Sequence, residues 1–245
     1  MASGFLILIS FFTRIPVGEK IEYNEENFVK ALNLFTLVGV VIGFLLAVVY
    51  LIFNNQISFI RGLVITVMYI LISGGIHLDG ACDTADGLLS GRTGDRIFEI
   101  MSDSHIGAFG VIALILIILS QFVLFSFCSI ETVFMMPLVG RASTIVSCWN
   151  KKYAKKIKGM GTVFIENIDK NVLLINLLIL FVFSMIPWYR AIMFTACFAA
   201  IAVSYFISIL IEEKIGGMTG DTCGFITEIS QIVFMTIVLF LMRQI

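Results

Sequence analysis

The sequence predicts an all-α fold: a polytopic transmembrane helical bundle of about seven spans with an additional short interfacial or re-entrant N-terminal helix. The whole chain, 1–245, reads as a single integral membrane domain. Three observations predict this. Of 245 residues, 59% are hydrophobic and 13% charged, with a mean hydropathy of +1.04, whereas a soluble domain carries about a quarter charged residues and under half apolar ones. The apolar residues fall in blocks of about 20, long enough for a helix to cross a hydrocarbon core of about 30 Å. Only three prolines stand against 23 phenylalanines, which suits unbroken helices facing lipid.

The elements follow in order. The run 5–12 is too short to span and no basic stretch precedes it, so it reads as a retained helix at the interface or dipping into the bilayer. Seven longer blocks then run at 31–53, 61–78, 107–127, 131–149, 172–187, 189–211 and 224–243. The first six pair as hairpins through short connections at 54–60, around Ser129, and at the Pro187–Trp188 corner. The polar segments 1–30, 79–106, 150–171 and 212–223 therefore share one face. Twelve of the sixteen basic residues lie in them, including Lys20 and the lysine cluster at 151–158. Three (Arg61, Arg190 and Arg243) lie opposite, and Arg141 falls inside a span. The positive-inside rule makes the polar face cytoplasmic. The lysine cluster fixes this topology and meets anionic lipid; holding a phosphate-rich substrate is its second reading.

Sixteen basic residues balance seventeen acidic ones, so no nucleic-acid partner is expected. The five cysteines have no CxxC or CxxH spacing and read as small apolar fillers rather than as a zinc site or a disulfide framework.

The acids carry the chemistry. Asp79, Asp83 and Asp86 are spaced i, i+4, i+7, which on a helix puts them on one face. Glu99 and Asp103 repeat the i, i+4 spacing with Asp95 one turn before, and a turn is expected at 90–94 between the two sets. Like charges stacked four apart destabilise a helix unless something positive neutralises them. Carboxylates without His or Cys partners favour a hard ion, Mg²⁺ or alternatively Mn²⁺, that completes its shell with phosphate and water. A second constellation runs from 216 to 228: Asp221 opens the last span after a glycine-rich turn, and Glu228 lies two turns on. An acid inside a span costs about 2.5–3.5 kcal/mol, which makes Glu228 a functional candidate. Arg141 is the other intramembrane charge, able to pair with Glu228 or to reach a phosphate. His77 faces away from Asp79 on a regular helix, as a phosphate donor or a structural residue. The stretch 159–161 reads as a flexible turn.

At these residues the sequence resembles the cobalamin synthase family, the adenosylcobinamide-GDP ribazoletransferases. The resemblance covers nearly the whole chain and rests on FFTRIPVG at 11–18, GGIHLDGACDTADGLLSG at 74–91 and EIMSDSHIGAFG at 99–110. GR at 140–141, GMG at 159–161 and GGMTGDTCG at 216–224 with Glu228 complete it. Ser102 and His105 depart from the family by standing where basic residues are expected, and Cys82 is unusual beside the acids.

The resemblance implies transfer of the corrinoid phosphate of adenosylcobinamide-GDP to a hydroxyl of α-ribazole or its 5′-phosphate. GMP is released and adenosylcobalamin or its phosphate is formed. A Mg²⁺-dependent phosphotransferase in the plasma membrane of a prokaryote is implied, its active site on the cytoplasmic face; assembly as a homo-oligomer stays open. Metal ligation then falls to Asp83, Asp86, Glu99 and Asp103, with Asp79 a ligand or a partner of one. Asp103 and Asp79 are the catalytic candidates, Asp103 as base. Arg14, His77, Arg92, Arg141, Asp221 and Glu228 are the substrate-binding candidates.

Two other readings compete. A CDP-alcohol phosphotransferase shares the split acidic signature, but the Ala-Arg expected shortly after Gly87 is absent. A metal or ion transporter would string polar groups across the midplane, whereas here the acids crowd one end.

Overall fold

The computed structural model describes residues 2–17 and 22–243. Lys20 and Gly18, the last residue of the 11–18 motif, lie outside the described residues. Among those described, the elements are α1 (Ala2–Phe12), α2 (Glu25–Ala31), a 3-10 turn (Leu32–Leu34), α3 (Phe35–Ile52), α4 (Ser58–Ser73), α5 (Ile76–Leu89), α6 (Asp95–Met101), α7 (Ala108–Phe127), α8 (Ile130–Cys148), α9 (Met160–Glu166), α10 (Lys170–Ser184), α11 (Arg190–Ile215) and α12 (Gly220–Met242). The sole extended pairing among them is a parallel bridge between Tyr153 and Met218. The fold is an all-α membrane bundle.

Each of the seven apolar blocks holds a long helix. Among the described residues four helices are long and apolar enough to cross a membrane, and six spans result when each of two bent pairs counts once. The difference from the seven expected is α8. Its Glu131, Pro137 and Arg141 lower its hydropathy, and protein rather than lipid surrounds it: almost every side chain from Thr132 to Cys148 is buried. Helices α3, α10, α11 and α12 pack around it, while α4 and α7 pair beside them. Outward faces carry large exposed apolar residues such as Phe44, Leu63, Phe198 and Phe240, as contact with lipid requires.

The helix ends follow from side chains that accept otherwise orphaned N–H groups. Asn24 caps α2, Ser129 caps α8, Asp169 caps α10 and Thr219 caps α12. Asn176 of α10 reaches across the bundle: its amide donates to the Leu32 carbonyl at 2.8 Å and its oxygen accepts from Thr36 N–H at 2.7 Å. The break between the 3-10 turn and α3 is satisfied this way.

The block expected at 61–78 is two helices. Gly74 and Gly75 both take positive φ (67° and 71°), conformations that end an α-helix, and α5 leaves α4 at 89°. The Arg14 side chain lies over Gly74, where a Cβ would come within 2.5 Å of its Nε. Turned this way, α5 packs against α12 and α7, and its acids fall in the polar segment 79–106 that the hydropathy pattern sets outside the apolar blocks. The turn expected at 90–94 is present, with Gly91 and Gly94 at positive φ. The stretch 159–161 is not a flexible turn: Met160 and Gly161 form the first turn of α9. The expected N-terminal helix is α1, which packs on α2 and α3.

Candidate active site

Helix α5 carries Asp79, Asp83 and Asp86, as their spacing predicts. Gly80 and Gly224 let it sit directly on the start of α12: a Cβ at Gly80 would come within 2.9 Å of the Asp221 Cα, and one at Gly224 within 2.9 Å of the His77 carbonyl oxygen. Backbone contact of this closeness brings Asp221, in the first turn of α12, beside the acidic face of α5.

Asp83 registers the result. Its carboxyl is half-buried and is pushed up to about 6, first by burial and then by the charges of Asp221 and Asp79, with Lys155 opposing. Lys155 Nζ donates to Asp221 Oδ2 at 2.9 Å. It comes from the lysine-rich loop, whose other members tie down further acids: Lys156 pairs with Asp95 at 2.5 Å, and Lys151 with Glu212. The bridge of Tyr153 to Met218 seats this loop beside the residues preceding α12, with Ala154 N–H donating to the Met218 carbonyl at 2.9 Å.

Asp86 has a different situation. It is buried, and its two carboxylate oxygens accept N–H bonds from Gly107 at 2.7 Å and Gly110 at 2.8 Å, at the N-terminus of α7. It therefore joins α5 to α7, with lone pairs left over on the same oxygens.

Glu99 and Asp103 do not share a helix. Helix α6 ends at Met101, because Asp103 Oδ1 accepts the His105 N–H at 2.9 Å and pulls the backbone into a turn. Hydrogen bonds from His105 hold the exposed Asp103 carboxyl below its usual range. Glu99 is exposed and pairs with Arg96 on its own helix. Arg92 is exposed in the turn before α6, and its backbone N–H donates to Ser90 Oγ.

Two cavities flank Asp79. One, of about 180 Å³, is lined by Phe11, Phe12, Phe28, Phe35 and Phe164, with His77, Asp79 and Asp221 among its polar residues. The other, of about 670 Å³ and more open, is lined by Arg14, Thr13, Gly74, Gly75, Asp79 and Cys82. Arg14 is thus placed on the second cavity and His77 on the first.

Arg141 and Glu228 lie elsewhere. Both are fully buried in the bundle and line neither cavity. Glu228 accepts from the Tyr69 hydroxyl at 2.8 Å and the Gln121 amide at 2.6 Å, joining α12 to α4 and α7. Arg141 Nη1 donates to the Pro137 carbonyl at 3.4 Å, and its Nε and Nη2 have no partner.

Asp79, Asp83 and Asp221 suit a hard divalent cation by donor type. Among the described residues no three His, Cys, Asp or Glu side chains are grouped closely enough to enclose an ion by themselves. Mg²⁺ does not need such a cage, since it binds through one or two carboxylates and takes substrate phosphates and waters for the rest. The mutual repulsion registered at Asp83 fits that mode.

Sequence reasoning missed Lys155 as an individual, although its cluster was visible. The aromatic lining contributed by α1, α2, α3 and α9 was also missed, since nothing local links those rings.

The cobalamin-5-phosphate synthase family model matches residues 4–239. An adenosylcobinamide-GDP ribazoletransferase of Clostridium botulinum (strain Langeland) is 35% identical over 247 residues, covering 97% of each chain. The protein of that name from Fusobacterium nucleatum is 34% identical, covering 94% of this chain and 95% of its own. The one from Clostridium acetobutylicum is 34% identical, covering 92% and 91%. No solved structure matches the chain. Matched along nearly all of its length, with the acidic helix α5 and the Asp221 turn inside the match, the chain belongs to the cobalamin-5-phosphate synthase family.

Proposed function

We propose that this protein is an adenosylcobinamide-GDP ribazoletransferase, completing the nucleotide loop of cobalamin by joining α-ribazole, or its 5′-phosphate, to the activated corrinoid. The observation that carries the reading is the meeting of α5 and α12, which sets Asp221, paired with Lys155, beside the acidic face of α5, with Asp79 lining both neighbouring cavities. Family membership favours it over the CDP-alcohol and transporter readings.

The hydroxyl oxygen of α-ribazole attacks the corrinoid-side phosphorus. A new P–O bond forms as the bond to the bridging oxygen breaks, and GMP leaves with that electron pair. Asp83 and Asp221 would hold Mg²⁺, which supplies charge neutralisation on the diphosphate when bound. Lys155 and Arg14 contribute fixed positive charge for the phosphates. Asp79 lies on the edge of both cavities, where a hydroxyl from one side and a phosphate from the other meet, and we assign it the proton. Asp103, which hydrogen bonds from His105 hold below the usual carboxylate range, is kept as the second candidate base. Asp86 orders the α5–α7 junction while keeping lone pairs for a ligand role. The distribution of basic residues favours a cytoplasmic site in a bacterial cell membrane.

Purified protein in liposomes, given adenosylcobinamide-GDP, α-ribazole and Mg²⁺, is expected to release GMP in step with corrinoid product. GMP release that is independent of α-ribazole would refute the transferase reading.

A further inference from the structure

The 180 Å³ cavity beside Asp79 is built unlike a phosphate site. Its rings form an edge-to-face cage: Phe12 and Phe35 stand 4.8 Å apart between centroids, Phe35 and Phe164 5.0 Å, and Phe12 and Phe164 5.9 Å. His77 lies nearly parallel to Phe12 at 6.0 Å, and the residue is only 5% exposed. Its Nε2 has no hydrogen-bond partner. A buried imidazole nitrogen left unpartnered costs about 1–3 kcal/mol, so an aromatic cage holding one points to an occupant that supplies the missing bond.

We propose that this cavity is the subsite for the benzimidazole base of α-ribazole, with His77 Nε2–H donating to the base's free ring nitrogen. The proposal rests on the ribazoletransferase reading and adds to it the side from which the acceptor substrate enters.

Size, polarity and position each select this occupant. An apolar cavity of about 150 Å³ accommodates benzene, so 180 Å³ suits a flat bicyclic ring and excludes a corrin macrocycle. Benzimidazole linked to ribose keeps one polar ring atom, an acceptor, which matches one unpartnered donor. Guanine presents several donors and acceptors on its edge, and a phenylalanine cage would leave most of them unsatisfied. Asp79 and Asp221 are among the residues lining the cavity, so a ribose attached to the base has carboxylates within the same cavity to direct its hydroxyls towards the diphosphate. The corrinoid substrate is left to the larger, open cavity that Arg14 lines.

Two variants and one direct binding measurement test this. Phe164→Ala opens the cage. Gly220→Val fills it, since Gly220 lines the cavity and a Cβ there meets nothing within 4 Å. Each is expected to raise KM for α-ribazole about tenfold, the loss of one aromatic contact, with KM for adenosylcobinamide-GDP unchanged. Saturation-transfer NMR on the detergent-solubilised full chain, with benzimidazole as the probe, is expected to show binding that both variants weaken. A rise in KM for the corrinoid substrate instead, or benzimidazole binding that neither variant alters, overturns the subsite. So does the absence of benzimidazole binding to the wild type. If the wild type released no GMP at all, the ribazoletransferase reading would fail, while the NMR measurement would still judge the cavity.

Discussion

Lys155 Nζ lies 2.9 Å from Asp221 Oδ2, and this ion pair joins the lysine-rich loop to the first turn of α12 beside the acidic face of α5. It places one positive charge among the carboxylates that would hold the cation, where it can serve a substrate phosphate.

Replacing Lys155 by Met is therefore expected to lower kcat/KM for adenosylcobinamide-GDP about ten- to a hundredfold, the worth of one charge-assisted hydrogen bond. Lys155→Arg keeps the charge and most of the activity. Steady-state GMP release from both variants, with α-ribazole saturating, checks this.

Asp83→Asn separates stability from activity. The carboxylate is strained by burial and by Asp221 and Asp79, so removing its charge relieves the metal-free fold. An increase in Tm of about 2–4 °C is expected, corresponding to about 1 kcal/mol after allowing for its partial exposure. Turnover falls at least about a thousandfold if the residue anchors the cation. Thermal unfolding in EDTA and the GMP assay read the two effects.

The same group sets a pH dependence. Its carboxyl is raised from 3.8 to about 6 in the folded protein, so between those values the folded state holds more protons than the unfolded one. The contribution is fully present below about 4 and is lost as pH rises through about 6. Metal-free protein is expected to melt higher at pH 5 than at pH 7 with respect to this group, and Mg²⁺ to stabilise it more at pH 7. Asp83→Asn removes both differences, measured by Tm in matched buffers.

Asp86→Asn behaves in the opposite sense. An amide can accept only through its oxygen, so one of the Gly107 and Gly110 N–H bonds is lost at the buried start of α7. The expected loss is about 1–2 kcal/mol, a fall of about 4 °C in Tm. A Tm unchanged in metal-free protein would show that the junction does not depend on this carboxylate.

Tyr69→Phe removes one of the two donors to Glu228 in the bundle interior. Stability is expected to drop by about 1–3 kcal/mol, with both KM values unchanged because Tyr69 lines neither cavity. Unfolding curves combined with steady-state kinetics check the pair of outcomes.

The spans were legible because hydropathy at this length has one physical reading, and the aspartates of α5 were legible because a period of 3.6 survives folding unchanged. The break at Gly74–Gly75 was not: two glycines allow a positive φ, but the packing of Arg14 over Gly74 and of α5 on α12 selects it. The pairing of Glu99 with Asp103 failed for a local reason, since Asp103 turns back to the His105 N–H and ends α6. Partners distant in sequence could not be read from spacing: the Asp86 cap on α7, the Lys155 pair with Asp221 and the Tyr69 bond to Glu228 exist only once helices meet. Arg141 and Glu228 were singled out correctly as unusual charges, yet their surroundings join helices rather than line either cavity.

The central claim is that the carboxylates of α5 and Asp221 share a divalent cation with the substrate diphosphate. Electron–nuclear double resonance on Mn²⁺-loaded protein with adenosylcobinamide-GDP reads this contact through the coupling of manganese to phosphorus. The account predicts a ³¹P coupling in the wild type that disappears in Asp83→Ala. An undiminished coupling in that variant, or none in an active wild type, would contradict it.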